Sequence, residues 1–159
     1  MGDRTHVTLT VLTEHVIHAK AMLEPQDGEP SEEYDDGVTT TLCFEEVNYG
    51  TLEALEQFQA AGIPYSSQWG SGGDYTEGEE HLRFTAEGTA VSTGTEQDWT
   101  YNTLSRLKEA WDKAPEKSLE QHLREAITAA SVPSWDQQLD YAKLYLAVQL
   151  ITPKEEPQC

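Results

Sequence analysis

The chain has 159 residues, with 29 acidic and 10 basic side chains and a formal charge of −19. That length suits one compact domain, and four Trp, seven Tyr and three Phe separate it from a solvated acidic tail. The charge argues against direct nucleic-acid binding, which needs clustered Lys and Arg. No apolar run approaches the ~20 residues of a membrane span. The opening MGDRTHVTLTVLTEH lacks the basic-then-apolar order of a secretory signal, and two cysteines, Cys43 and Cys159, are too few for a disulfide framework. These features predict a cytoplasmic protein in a reducing compartment.

In chain order, residues 5–13 alternate Val7, Leu9 and Val11 with threonines and predict a strand. Residues 14–24 place Val16, Ile17, Ala21 and Met22 near helical spacing, a short helix with a continued strand as the alternative. The Pro-, Gly- and acid-rich stretch 25–37 reads as a loop. Residues 38–48 are β-branched and predict a strand with Cys43 as a buried thiol between Leu42 and Phe44. Thr51 is the expected cap of a helix carrying Leu52, Leu55 and Phe58, with Gly62 at its C-terminal stop. Ile63–Trp69 then predicts a strand, Gly70–Gly73 a turn, and His81–Ala86 and Thr89–Thr93 two more strands.

After Asp98 the pattern is helical. Asn102 is expected to cap a helix with Leu104, Leu107, Trp111 and Ala114 on one face. Ser118–Gln121 and Ser134–Gln137 each fit a capping box. Trp135, Leu139, Ala142, Leu146 and Leu150 keep a helical period in the last segment, and Trp111 and Trp135 are expected to pack the helices onto the sheet. The fold class is therefore α+β, a small, mostly antiparallel sheet with helices on one face and a C-terminal section of about three helices. Residues 1–100 form an acidic α+β portion, 101–152 a helical section packed on it and 153–159 a tail, together one compact domain.

Charge is segregated along the chain. Residues 1–100 hold twenty acidic side chains against Arg4, Lys20 and Arg83, a formal −17, while 101–159 hold nine acidic and seven basic, a formal −2. Between residues 21 and 82 there is no Lys or Arg, and fifteen acidic residues fall there. Such an imbalance costs stability through self-repulsion. Solubility alone is one reading of it; a negative surface presented to a basic partner is the other. The partner-facing candidates, expected on one negative face, are Glu32, Glu33, Asp35, Asp36, Glu45, Glu46, Glu53, Glu56, Asp74, Glu77, Glu79 and Glu80. Tyr34, Tyr49 and Tyr75 are candidate aromatic anchors, because aromatic residues ringed by polar ones make interface centres. Tyr65 and Trp69 are weighed between that role and the core.

Catalytic motifs are weak. His15 and His18, at i and i+3, would need His81 or Cys43 nearby to complete a zinc set. Gly70-Ser71-Gly72-Gly73 lacks the Lys-Ser or Lys-Thr of a phosphate loop and runs into acidic residues. No G-x-S-x-G elbow presents a serine nucleophile, and Asp35-Asp36-Gly37 lacks the alternation of a calcium loop. No catalytic residue, metal or cofactor is assigned.

In composition, the acidic portion 1–100 resembles the DNA-mimicking inhibitors carried by phages and plasmids, the anti-restriction and anti-CRISPR class. That resemblance implies carboxylates standing in for phosphates in the basic channel of a nucleic-acid-handling complex, and it transfers no individual site. The expected function is thus an acidic binding protein that inhibits a host defence or DNA-processing complex, its partner a basic protein or nucleoprotein. The alternatives are a non-catalytic accessory or adaptor protein whose acidity is incidental, and a small histidine-based metal protein or enzyme. The oligomeric state is not readable from the sequence.

Overall fold

The computed structural model describes residues 3–73, 75–96 and 107–151. Its centre is one six-stranded sheet, with strands β1 (Arg4–Leu12), β2 (Glu32–Asp35), β3 (Thr39–Asn48), β4 (Tyr65–Trp69), β5 (Gly78–Phe84) and β6 (Ala90–Glu96) in the order β2-β3-β1-β4-β5-β6. Every neighbouring pair is antiparallel. The helices are α1 (Val16–Leu23), α2 (Leu55–Ala61), α3 (107–113), α4 (Leu119–Ala130) and α5 (Gln138–Ile151). The fold is α+β, and three of the five helices among the described residues lie in the C-terminal half.

The period-two pattern of β1 decides which face is covered. Val7, Leu9 and Val11 are fully buried and pair across to Phe44, Leu42 and Thr40 on one side and Trp69, Ser67 and Tyr65 on the other. Against this face pack Ala19 and Leu23 of α1, Leu55 and Phe58 of α2, and Ala142 and Tyr145 of α5, all in one core. Each large apolar side chain so buried contributes about 1.5–3 kcal/mol. The opposite face carries Thr8, Thr10, Thr41, Cys43, Ser66, Gln68, His81 and Arg83, as the same register requires.

Several local expectations hold. Gly62 stops α2 in the left-handed region at φ 69°, and a Cβ there would lie 2.8 Å from Leu146 Cδ1 of α5, so conformation and packing both require glycine. Ser118 and Gln121 form the expected capping box of α4. Cys43 is buried, although it faces away from the helix-covered core, beneath Glu32 of the edge strand. Burial, helped by that carboxylate, raises its thiol above the ordinary range.

Others are corrected. Part of the expected loop 25–37 is β2, an edge strand whose four residues are all exposed. Charge on an edge is how sheets avoid further pairing. In α1 the buried residues are Ala19 and Leu23, while Ile17 is 82% exposed. Thr51 does not cap α2; the Asp27 carboxylate accepts from the Glu53 and Ala54 N–H groups at 2.7 and 3.0 Å instead. Ser134–Gln137 makes no capping box: Ser134 Oγ donates to Asp136, and Gln137 takes φ 64° before α5 begins at Gln138. Leu150 is 86% exposed rather than inward. Trp111 lies against His122 of α4, ring centroids 5.3 Å apart and planes tilted by 43°; it is 42% exposed and not part of the core cluster on the sheet. Trp135 does reach the sheet, 3.8 Å above the Arg83 guanidinium of β5. Asn102, Leu104, Asp74, Cys159 and the tail 153–159 lie outside the described residues.

Candidate interaction surface

The acidic portion is short of bases, and the structure shows where its three go. Arg4 Nη1 donates to Glu46 Oε2 at 2.6 Å, both side chains exposed. Lys20 pairs with Glu33. Arg83 is 3% exposed and turns its guanidinium inward. It donates to the carbonyls of Tyr65 (2.5 Å), Leu82 (2.9 Å) and Pro133 (3.0 Å) and to Ser66 Oγ (2.8 Å). Burial pulls its pKa down to about 10, so it stays charged at neutral pH. Two outward bases, each already committed to one carboxylate, leave the remaining acidic side chains of this portion to set its outward charge.

Strand register divides the candidate carboxylates among several places instead of gathering them on one negative face, because successive residues such as Glu79 and Glu80 point to opposite sides of the sheet. At one end of the sheet, β1 begins beside the end of β3, and β4 ends beside the start of β5. There Glu45, Glu46 and Glu53, with Asp27 and Tyr49, line a cavity of about 400 Å³. Tyr49 and Thr51 are shared with a second cavity of about 270 Å³, walled also by Trp69, Tyr75 and Glu80. The chain bends into this rim at a bulge opposite β1, where Glu46 and Tyr49 hold left-handed backbone at φ 58° and 54°. Glu80 is half-buried and accepts from the Tyr65 hydroxyl at 3.1 Å. Burial first, and Glu80 second, push that phenol above the ordinary tyrosine range.

The other candidates are not part of this rim. Glu32, Glu33 and Tyr34 lie exposed along β2, where the Tyr34 hydroxyl donates to Glu32 and its pKa is raised by that bond. Asp35 and Asp36 build the β2–β3 turn. Asp35 accepts from Gly37 N–H and the Thr13 hydroxyl, and Asp36 from Val38 N–H, Thr39 N–H and the Thr39 hydroxyl. The Thr39 and Val38 amides hold the Asp36 carboxyl below the usual aspartate range. Glu79, one residue from Glu80, points to the opposite face of the sheet and accepts from Gln68. Glu56 is exposed in the first turn of α2, and Glu77 is exposed just before β5. Asp74 lies outside the described residues.

The histidines do not converge. His15 sits at the end of the turn before α1 and His81 within β5; burial lowers the His15 pKa. Among the described residues, no three His, Cys, Asp or Glu side chains are grouped to hold a metal ion. His81 has a different neighbour, invisible in the sequence: its Nδ1 lies 2.8 Å from Ser66 Oγ, the oxygen into which Arg83 also donates. The serine proton is then free to donate to Nδ1, leaving the ring N–H on Nε2, 3.6 Å from Glu79 Oε1. The members are those of a serine–histidine–acid relay. Their spacing is not, since the histidine–carboxylate gap exceeds hydrogen-bond reach and the serine oxygen already serves the guanidinium. This network secures a buried charge that has no carboxylate partner among the described residues.

No helix among the described residues is long and apolar enough to cross a membrane. No family model, no curated protein and no solved structure matches the chain.

Proposed function

We propose that this is a non-catalytic binding protein whose acidic rim occupies a basic, nucleic-acid-handling partner, as a DNA-mimic inhibitor does in the cytosol. One observation carries the reading: the only outward bases of the acidic portion, Arg4 and Lys20, are already ion-paired, and Arg83 is buried beneath Trp135. Negative potential is therefore the property this surface offers. A basic groove releases its counterions to any polyanion of suitable shape, and opposite charge speeds encounter.

The accessory-protein alternative has its own observation. Leu119, Leu123 and Ile127 form an i, i+4, i+8 stripe on α4 and are 55%, 42% and 66% exposed, an apolar face in the near-neutral part of the chain.

One experiment separates the two. The protein and a Glu45→Lys, Glu53→Lys, Glu77→Lys variant are used as bait in lysate at about 50 and 500 mM salt, with duplex DNA as competitor. These three carboxylates are exposed and make no ion pair among the described residues, so the fold should tolerate the change. The proposal expects basic nucleic-acid-binding proteins on the unmodified bait, displaced by salt and by DNA and absent from the variant. Capture that survives charge reversal and salt, and is lost in Leu123→Ser, Ile127→Ser, would transfer the function to α4.

A further inference from the structure

The second rim cavity has walls unlike the rest of the acidic surface. Tyr49, Trp69 and Tyr75 contribute three aromatic rings and Glu80 one carboxylate to about 270 Å³ of space. Tyr49 and Tyr75 meet edge to face at 60°, centroids 6.2 Å apart. The Trp69 indole is fixed by its N–H donating to the Thr76 carbonyl at 3.1 Å. It is also pressed against Gly50, where an added Cβ would stand 2.7 Å from Trp69 Cγ. Glu80, the one carboxylate lining this cavity, accepts from Tyr65 through Oε1.

Ring faces attract cations through their quadrupole, and a carboxylate among them adds charge and direction. We infer that this aromatic and acidic cavity is the recognition pocket for a single arginine side chain of the basic partner. The inference rests on the function proposed above and deepens it. Arginine fits better than lysine because its guanidinium is flat, weakly hydrated and able to stack on a ring while donating to a carboxylate. A permethylated ammonium has no N–H to give to Glu80. The carboxylates of the adjoining cavity, Glu45, Glu46 and Glu53, then attract the neighbouring basic residues without selecting among them. Aromatic and arginine pairs at the centre of an interface are also where binding energy concentrates.

The test compares a short oligolysine peptide with the same peptide carrying arginine in place of its central lysine. Binding to the full chain is measured by calorimetry, with the Trp69 indole N–H followed by NMR. The two peptides have equal charge, so general attraction cancels in the ratio of their affinities. The arginine peptide should bind about fivefold tighter and shift the Trp69 signal. Tyr49→Asn removes one wall yet suits the left-handed backbone. Glu80→Gln keeps an acceptor for Tyr65 and removes the charge. In each variant the ratio should fall to about one. Equal affinity for the two peptides in the unmodified protein, or a ratio that survives both substitutions, overturns the pocket and leaves the acidic-rim reading standing. If neither peptide binds even at low salt, the rim reading fails as well.

Discussion

Gln138 gives the strongest handle on how the C-terminal helices are held to the sheet. The β4–β5 ladder stops at Tyr65 and Leu82. Two residues further along β5, the Gln138 amide stands in for a strand: Phe84 N–H donates to its Oε1 at 2.8 Å, and its Nε2 donates to Phe84 O at 3.0 Å. The side chain is 1% exposed, so water cannot replace it. Gln138→Leu keeps the volume and strands two buried backbone groups, each at about 1–3 kcal/mol. The expected loss is therefore about 2–5 kcal/mol in urea unfolding, or roughly 10 °C in Tm at about 2–4 °C per kcal/mol for a chain of this size. Gln138→Glu adds a sign test. A protonated carboxyl can both accept from Phe84 N–H and donate to Phe84 O, whereas an ionised one cannot donate and is costly to bury. The folded variant thus holds its proton more tightly than the unfolded chain, and its deficit should shrink as pH falls and grow as pH rises. A Leu variant within about 0.5 kcal/mol of the parent, or a Glu deficit indifferent to pH, would refute the clamp.

Asp36 has a carboxyl held below its ordinary value by the Thr39 and Val38 amides. Its stabilisation of the β2–β3 turn should be complete above the ordinary aspartate range and lost as pH falls through the lowered folded value, read as loss of amide protection at Val38 and Thr39; unchanged protection would contradict it. Cys43, with its thiol raised by burial, should react with a thiol reagent only as fast as the β2 edge opens, far more slowly than in the urea-unfolded chain; equal rates would show that the edge does not cover it. Gly50→Ala should cost about 1–3 kcal/mol and shift Trp69 emission, because both the left-handed backbone and the indole oppose a methyl group there; an unperturbed melt and spectrum would remove Gly50 from the pocket argument. Raising salt from about 50 to 500 mM should stabilise the free protein in a thermal melt while weakening any complex at the rim.

What was readable in the sequence was whatever one segment decides for itself. Val7, Leu9 and Val11 announce β1 by alternation, Gly62 marks the end of α2, and the Ser118–Gln121 box opens α4 using groups within four residues. Strand β2 was not readable, because Glu32-Glu33-Tyr34-Asp35 has no buried face and becomes a strand only by pairing with β3. Asp27 caps the start of α2 from 26 residues away, a contact no local motif encodes. The failed box at Ser134–Gln137 has a tertiary cause: Trp135 is drawn over Arg83, and Gln138 is drawn to Phe84. The candidate site divides in the same way. Glu45, Glu46, Glu53, Glu80, Tyr49 and Tyr75 could be chosen as residue types, but their grouping depends on how β3 ends and β5 begins at the rim. Ser66 and His81 meet only because the β4–β5 register sets them opposite one another.

The opposite signs expected of salt follow from how the surface is balanced. The ion pairs Arg4–Glu46 and Lys20–Glu33 are exposed, and pairs of that kind contribute about 0–1 kcal/mol, which salt removes. Against this stands a formal −17 in residues 1–100, with both outward bases already spent and every further carboxylate repelling its neighbours. Folding brings those carboxylates closer than they are in the unfolded chain, so the repulsion is larger in the native state and screening it favours folding. Binding to a basic partner, as proposed, would reverse the sign, because in such a complex the carboxylates meet opposite charge. A protein selected only for solubility would gain in salt and show no partner-dependent loss. A surface held ready for a basic groove must show both effects, and charge reversal at Glu45, Glu53 and Glu77 should diminish both together. If salt instead destabilised the free protein, the few ion pairs would outweigh the repulsion, and the surface would be a neutralised one in spite of its composition.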